Sequence, residues 1–381
     1  MTIFFLITLF LLLAYGILIE YYRKSWISIP AGLSAKTSLP SSLGRVSVII
    51  PARNEQSHIG KCLDSLLAQT FPKSQLEIIV VDDYSTDQTA AIVGSYPEPF
   101  IKLIRLRDHM EGELPKAYKK KALEIAIAQA SGDWIMTTDA DCTHHPNWVQ
   151  AMVGLQGLSK AVFIAAPVRL VGNRSPLLIF QTLDFICLQG ITGASIQGGI
   201  HALCNGANLG YLKTAFYEVG GFSGIDHISS GDDMLLMQKF IRRFPGRIFY
   251  LKSLQAMVTT EYAGSWGAFL QQRIRWSSKA THYGEPVIFF TLLLVWLLNA
   301  CLLSFLVAGC FQLTYLRTWL ILVVIKTILE FPFAWVVARF FSQQQLMAYF
   351  FFAQPFHILY TVIVGLWGQF GRFTWKDRKM N

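Results

Sequence analysis

The feature that most constrains this chain is where its charges are missing. Ile3 to Ile19, Pro286 to Leu316 and Phe340 to Gly371 contain no Asp, Glu, Lys or Arg. At about 1.5 Å of rise per residue, each run approaches or exceeds the ~20 residues that cross a hydrocarbon core. Thr318 to Ala338 is apolar apart from Lys326 and Glu330, which are four apart and share a helix face. Charges at that depth face a partner or a cavity, so the pair is either a plain intramembrane ion pair or a guide for a substrate. The chain is 53% apolar against 15% charged, and its two ends hold the excess, leaving a middle of ordinary soluble composition. The pattern predicts an N-terminal transmembrane anchor over 1–27 and two or three C-terminal transmembrane segments over 286–371.

A secretory signal is the rival reading of the first run, but no basic segment precedes it and no small-residue cleavage site follows. Glu20, Tyr21, Tyr22, Arg23, Lys24 and Trp26 form an aromatic and basic flank of the kind found at a cytoplasmic interface. An uncleaved anchor with its first residue outside and the middle domain in the cytoplasm follows, in an integral membrane protein of a bacterial inner membrane. If all three C-terminal segments span, the basic tail over 372–381, with Arg372, Lys376, Arg378 and Lys379, falls outside, against the positive-inside tendency. The last segment, broken by Gln354, Pro355 and His357, is therefore the expected site of irregular structure.

Between the ends, residues 28–45 are rich in Ser, Pro, Gly and Ala and form a linker. A soluble domain over 46–255 follows. Val46 to Ile50, Leu76 to Val81, Ile101 to Ile104 and Trp134 to Thr138 are short apolar β runs. Ile59, Cys62, Leu63, Leu66 and Leu67 repeat at helical spacing, Ala117 to Ala130 forms a second helix, and Ser85 or Thr86 caps another with Asp87 in its first turn. Alternation of this kind implies an α/β fold with a mostly parallel sheet and a ligand site at the carboxyl ends of its strands. An amphipathic interfacial segment is expected over 256–285.

Acidic residues collect at those strand ends. Arg53, Asn54 and Glu55 follow the first strand, Asp82 and Asp83 end the second, and Asp139 and Asp141 end the fourth. One such residue alone reads as a turn or cap. Three groups on one edge repel each other unless a cation or ligand donors lie among them. Asp139 and Asp141 are two apart and point the same way on an extended strand, a spacing suited to Mg²⁺ or Mn²⁺, which completes its shell with phosphate and water. The six cysteines form no CxxC pair, so a zinc site is not indicated, and no P-loop or GxGxxG occurs. A net charge of +9, from 33 basic and 24 acidic residues, is too modest for a nucleic-acid binder and suits anionic lipid or an anionic ligand. A solvated helix face is the expected place of Lys116, Lys119, Lys120 and Lys121.

Five motifs occur in one order: Pro51-Ala52-Arg53-Asn54-Glu55, Val81-Asp82-Asp83-Tyr84-Ser85-Thr86-Asp87, Asp139-Ala140-Asp141, Ser230-Gly231-Asp232-Asp233 and Gln272-Arg273-Ile274-Arg275-Trp276. The ordered set resembles the membrane-embedded family 2 glycosyltransferases, the group of cellulose, chitin and hyaluronan synthases and ceramide glucosyltransferases. The resemblance covers roughly Arg45 to Lys279. It implies a GT-A fold, a nucleotide-sugar donor, usually UDP-linked, and transfer of the sugar with inversion. It places Pro51, Glu55, Asp83 and Asp139 on the nucleotide-sugar, Asp141 with Asp139 on the metal, and Asp233, with Asp232 beside it, at the catalytic base. It also sets Gln272 and Arg275 on the diphosphate and Trp276, Asn205 and Gly206 at the acceptor. Tyr84 stands where glycine is frequent in the family, and Asp232 where glutamate is.

The chemistry is consistent on its own terms. Inversion needs a carboxylate to take the proton of the attacking hydroxyl and a separate cationic cluster, here Arg273 and Arg275 with the metal, to receive the departing charge. The expected function is transfer of a sugar to a membrane lipid or lipid-linked glycan, with membrane lipids as partners. A processive polysaccharide synthase that secretes its own product and a non-catalytic sugar-nucleotide-binding protein are the alternatives. The sequence leaves the sugar, the acceptor and the oligomeric state open.

Overall fold

The computed structural model describes residues 2–30, 44–110, 117–201, 203–278, 285–370, 373–375 and 378–380. In chain order the elements are α1 (Thr2–Ser28), β1 (Val46–Ala52), α2 (Ile59–Leu67), β2 (Leu76–Asp82), α3 (Thr89–Gly94), β3 (Ile101–Arg105), α4 (Tyr118–Gln129) and β4 (Trp134–Thr137). They continue with β5 (Cys142–His144), α5 (Trp148–Ser159), β6 (Phe163–Ala165), β7 (Val168–Val171), α6 (Pro176–Gly198), β8 (Leu209–Leu212), α7 (Lys213–Glu218), α8 (Met234–Arg243), β9 (Ile248–Tyr250) and β10 (Val258–Glu261). The last helices are α9 (Trp266–Ser277), α10 (Pro286–Gly309), α11 (Leu313–Phe340) and α12 (Phe350–Phe370). Most of the expected linker lies outside the described residues, as does Lys116.

Two compact units form: residues 1–29, 172–201 and 262–374 in one, and 30–171, 202–261 and 375–381 in the other. The second is the α/β unit. Its main sheet has seven strands in the order β3-β2-β1-β4-β8-β6-β9. β1 pairs in parallel with both β2 and β4, and β2 with β3, whereas β8 runs antiparallel to β4 and β6. Every residue of β2 is buried, as a strand covered on both faces requires. The chain leaves β1 first toward β2 and β3 and then returns to β4 on its other side, so a topological switch point lies between β1 and β4, the place where open α/β sheets bind their ligands. A second sheet, β5-β10-β7, takes in β10, so 258–261 belongs to this unit and not to an interfacial segment as expected.

The helical unit gathers α1, α6 and α9 to α12. Five helices among the described residues, α1, α6, α10, α11 and a segment that includes most of α12, are long and apolar enough to cross a membrane. Four match the charge-free or nearly charge-free runs. The fifth, α6, was not expected: it sits within the stretch assigned to the soluble domain and packs instead among the helices, against α1 and α11. α12 is a continuous helix through Pro355, and the irregular structure of this last run lies before it, in the 3-10 helix Gln344–Tyr349.

The charges inside α11 close on themselves. Lys326, fully buried, donates to Glu330 Oε1 at 2.6 Å and to Gln354 Oε1 at 2.8 Å, while the Gln354 amide donates to Glu330 Oε2 at 2.7 Å. The Tyr15 hydroxyl also donates to Glu330. Both carboxylate oxygens and the ammonium are thus spent on partners from α1, α11 and α12. These contacts make a buried ion pair within the helical unit.

Candidate active site

The strand-end loops of β1 and β2 are sewn together. The Arg53 guanidinium donates to the carbonyls of Asp83 and Tyr84, both at 2.9 Å, and the backbone N–H groups of Asn54, Glu55 and Gln56 donate to Ser85 Oγ, Thr89 Oγ1 and Asp87 Oδ2. In return Asn54 Oδ1 accepts from the Thr86 N–H at 2.9 Å. Asn54 and Tyr84 both take positive φ, 49° and 54°, a conformation that a bulky residue adopts only where its surroundings hold it. Asp87 serves both this seam and the start of α3, where its Oδ1 accepts from the Thr89 N–H at 3.0 Å; α3 starts at Thr89 with Gln88 as its cap, later than the expected Ser85 or Thr86. Burial opposes its charge, but donors from Thr89 and Gln56 outweigh that and hold its carboxyl below the ordinary range.

Asp82 and Asp83 are buried at the end of β2, and the Ser85 N–H donates to Asp82 Oδ1 at 3.2 Å. Glu55, after β1, reaches His58 Nδ1 at 3.0 Å, and His58 Nε2 lies 3.6 Å from Glu261. Pro51 lies within β1, opposite Val81 in register.

The centre of the site is an ammonium among carboxylates. Lys119 Nζ donates to Asp139 Oδ1 at 2.8 Å and stands 3.2 Å from Asp232 Oδ2. Burial alone lowers its pKa, yet Asp139, Asp232 and Asp233 raise it well above the ordinary lysine value, so it stays charged. Gly206 closes this corner: a Cβ built there would lie 3.3 Å from Asp232 Oδ2 and 3.4 Å from Lys119 Nζ. Asp233 caps α8. Its Oδ1 accepts from the Met234 N–H at 2.7 Å and its Oδ2 from the Gly206 N–H at 3.0 Å. Asp139, Asp232, Asp233 and Gly206 therefore meet through one lysine. Next to Gly206, Asn205 Oδ1 accepts from the Ala207 N–H at 3.0 Å and shapes the loop.

Two of the four lysines depart from the solvated face expected of them. Besides Lys119, the buried Lys120 donates to the carbonyls of Ile225, Ile228 and Ser230 at 2.6 to 3.0 Å, pinning the loop that leads to Asp232. Spacing gave no sign of this, because buried and exposed lysines follow one another on the same turn. Only Lys121, which pairs with Glu124 at 3.7 Å, behaves as a surface residue.

Asp139 and Asp141 are hard oxygen donors, and Asp139 keeps part of its carboxylate exposed, 38% of the side chain. Among the described residues no group of three or more His, Cys, Asp or Glu stands ready as a protein cage. A two-carboxylate donor set suits Mg²⁺ or Mn²⁺ shared with a diphosphate and does not suit zinc. All six cysteines are free.

The last motif lies on α9, in the helical unit. Ser265 caps this helix, accepting from the Ala268 N–H at 3.1 Å. Gln272, Arg275 and Trp276 are half-buried. Arg273 is a correction: expected on the diphosphate, it is only 4% exposed and its guanidinium donates to Asp184 Oδ2 of α6 at 3.0 and 2.6 Å. A guanidinium so committed is not available to a phosphate.

Comparison with known proteins agrees with this architecture. Residues 47–175 match the model of glycosyl transferase family 2. Probable glycosyltransferase YdaM of Bacillus subtilis is 30% identical over 62% of this chain and 55% of its own. An N-acetylglucosaminyltransferase of Sinorhizobium fredii is 27% identical over 61% of this chain and 56% of its own. The chain thus spans little more than half the length of these relatives. Among solved structures, a mannosyltransferase from Pyrobaculum calidifontis in complex with GDP-Man and Mn²⁺ superposes with a TM-score of 0.62 at 18% identity, covering 96% of this chain and 99% of that one, a likeness of fold. The chain carries a family 2 glycosyltransferase domain, and that domain has the GT-A fold.

Proposed function

We propose that this protein is an inverting glycosyltransferase that moves a sugar from a nucleotide-sugar, UDP-linked, to a membrane lipid or lipid-linked glycan. The observation that carries the reading is the meeting of Asp139, Asp232, Asp233 and Gly206 around the Lys119 ammonium at the switch-point edge. Glu55 and Asp83 are assigned to the base and ribose, and Asp139 to the ribose and diphosphate. Asp139 and Asp141 would hold Mg²⁺ or Mn²⁺, which when bound offsets the negative charge gathering on the leaving diphosphate.

The chain's own groups do the rest. Asp233 is the general base: two backbone N–H donors fix its carboxylate in one orientation, and each oxygen keeps a lone pair for the acceptor hydroxyl's proton. Lys119 bridges Asp232 and Asp139 and offsets their mutual repulsion. Gln272, Arg275 and Trp276 retain the roles their motif implies, donors to the diphosphate and packing for the acceptor sugar. Five apolar helices support integration in a membrane, with the α/β unit in the cytoplasm. The buried Lys326–Glu330–Gln354 ring favours a single transfer over a polymer channel through these helices, since its charges answer one another and Lys326 has no exposed surface to offer a passing glycan.

The test is Asp233→Asn. We expect turnover to fall by about 10²–10⁴-fold while nucleotide affinity, measured by calorimetry, is kept. Near-normal turnover would remove Asp233 from the base role.

A further inference from the structure

Arg273 does not bind a ligand, yet it sits inside the motif that does. Its guanidinium lies 4.3 Å from the centroid of the Trp276 ring and 4.8 Å from that of Phe269, and its donors are held by Asp184, which in turn accepts from the Tyr360 hydroxyl. Arg273 Nη1 also donates to Gln272 Oε1 at 3.3 Å. Arg273 and Asp184 are about 95% buried at their side chains. Three helices meet here: α6 supplies Asp184, α12 supplies Tyr360 and α9 supplies Arg273. A buried guanidinium held by a carboxylate over an indole has little freedom left, and its desolvation strengthens the cation–π contact.

We propose that Asp184 and Tyr360 are positioning residues which, through Arg273, fix the Trp276 ring and the Gln272 amide in the orientation that sugar transfer needs. The inference deepens the transferase reading and rests on it for its kinetic part. It also explains the place of α6, since an apolar helix inserted within the α/β sequence delivers one carboxylate to the motif helix.

A buried pair complicates the obvious test, because removing one partner leaves the other charge stranded and costs stability. The decisive variant is therefore the neutral pair Asp184→Asn with Arg273→Gln, compared with each single change and with Tyr360→Phe. Melting temperature, kcat, KM for donor and acceptor, and the emission of Trp276 are read for all of them. The Trp276 emission is isolated as the difference between each variant and its Trp276→Phe counterpart. We expect the neutral pair to regain most of the melting temperature lost in the singles while kcat stays at least tenfold down and Trp276 emission stays shifted. Tyr360→Phe should lower kcat severalfold with a smaller emission shift. If kcat and emission return to wild-type values together with stability, the pair is only a brace and the proposal fails. A wild-type protein with no turnover on any donor would instead count against the transferase reading; an unshifted Trp276 emission in Asp184→Asn would then still overturn the positioning role.

Discussion

At the scale of single residues, function turns on how charges are partnered. Lys119 bridges two carboxylates that would otherwise repel at close range. Lys119→Met should therefore cut kcat/KM by about 10²-fold or more, with Lys119→Arg recovering part of it, in steady-state assays. Gly206 offers a second check, since a methyl there must push on Asp232 Oδ2 at 3.3 Å; Gly206→Ala should lower turnover with little change in melting temperature. His144 supplies a pH signature. Burial depresses its pKa to about 3, and its ring nitrogens face the hydroxyls of Ser65 and Thr138, both at 2.9 Å. The unfolded chain binds this proton near pH 6.5 and the folded one does not, so stability falls as pH drops from about 6.5 toward 3, by up to about 1.4 kcal/mol per pH unit. His144→Gln should flatten that slope in pH-dependent unfolding; an unchanged slope would contradict the neutral buried imidazole. Residue pairings of this kind were the least legible part of the sequence. The acidic motifs stood out by their order, but nothing in a run of lysines says which ammonium turns inward to carbonyls and which to carboxylates.

At the scale of elements, the four strands expected in the first half of the α/β unit formed within two residues of their apolar runs, because β1, β2 and β4 are buried on both faces and leave a mostly apolar record, while the edge strand β3 is half-exposed. Helix α2 followed its periodicity because one face of it is buried. Helix α6 escaped notice because Gln181, Asp184 and Gln189 interrupt it, and each of these is buried against the fold and not turned to water. A polar residue matched by a distant partner looks, in sequence, like one that is solvated. The interior of α11 shows the same rule in reverse, for its charges were evident and their partner Gln354 was mistaken for a sign of irregular structure. Lys326→Met should strand Glu330 and cost about 3–5 kcal/mol of helical-unit stability, measured by unfolding in detergent. Adding Glu330→Gln should return most of it. A single change that costs nothing would mean the ring is dispensable.

At the scale of the whole molecule, the chain joins a family 2 glycosyltransferase domain of GT-A fold to a unit of long apolar helices. The central claim is that the acidic edge binds a nucleotide-sugar and transfers its sugar. The most direct measurement is nucleoside diphosphate release from a panel of UDP- and GDP-sugars by the detergent-purified protein with total membrane lipid, in Mg²⁺, in Mn²⁺ and in EDTA. Release from one UDP-sugar is expected, dependent on the metal and on the lipid, with the label recovered in a lipid-extractable product. Absence of release from every donor, together with no metal-dependent nucleotide binding, would contradict the claim.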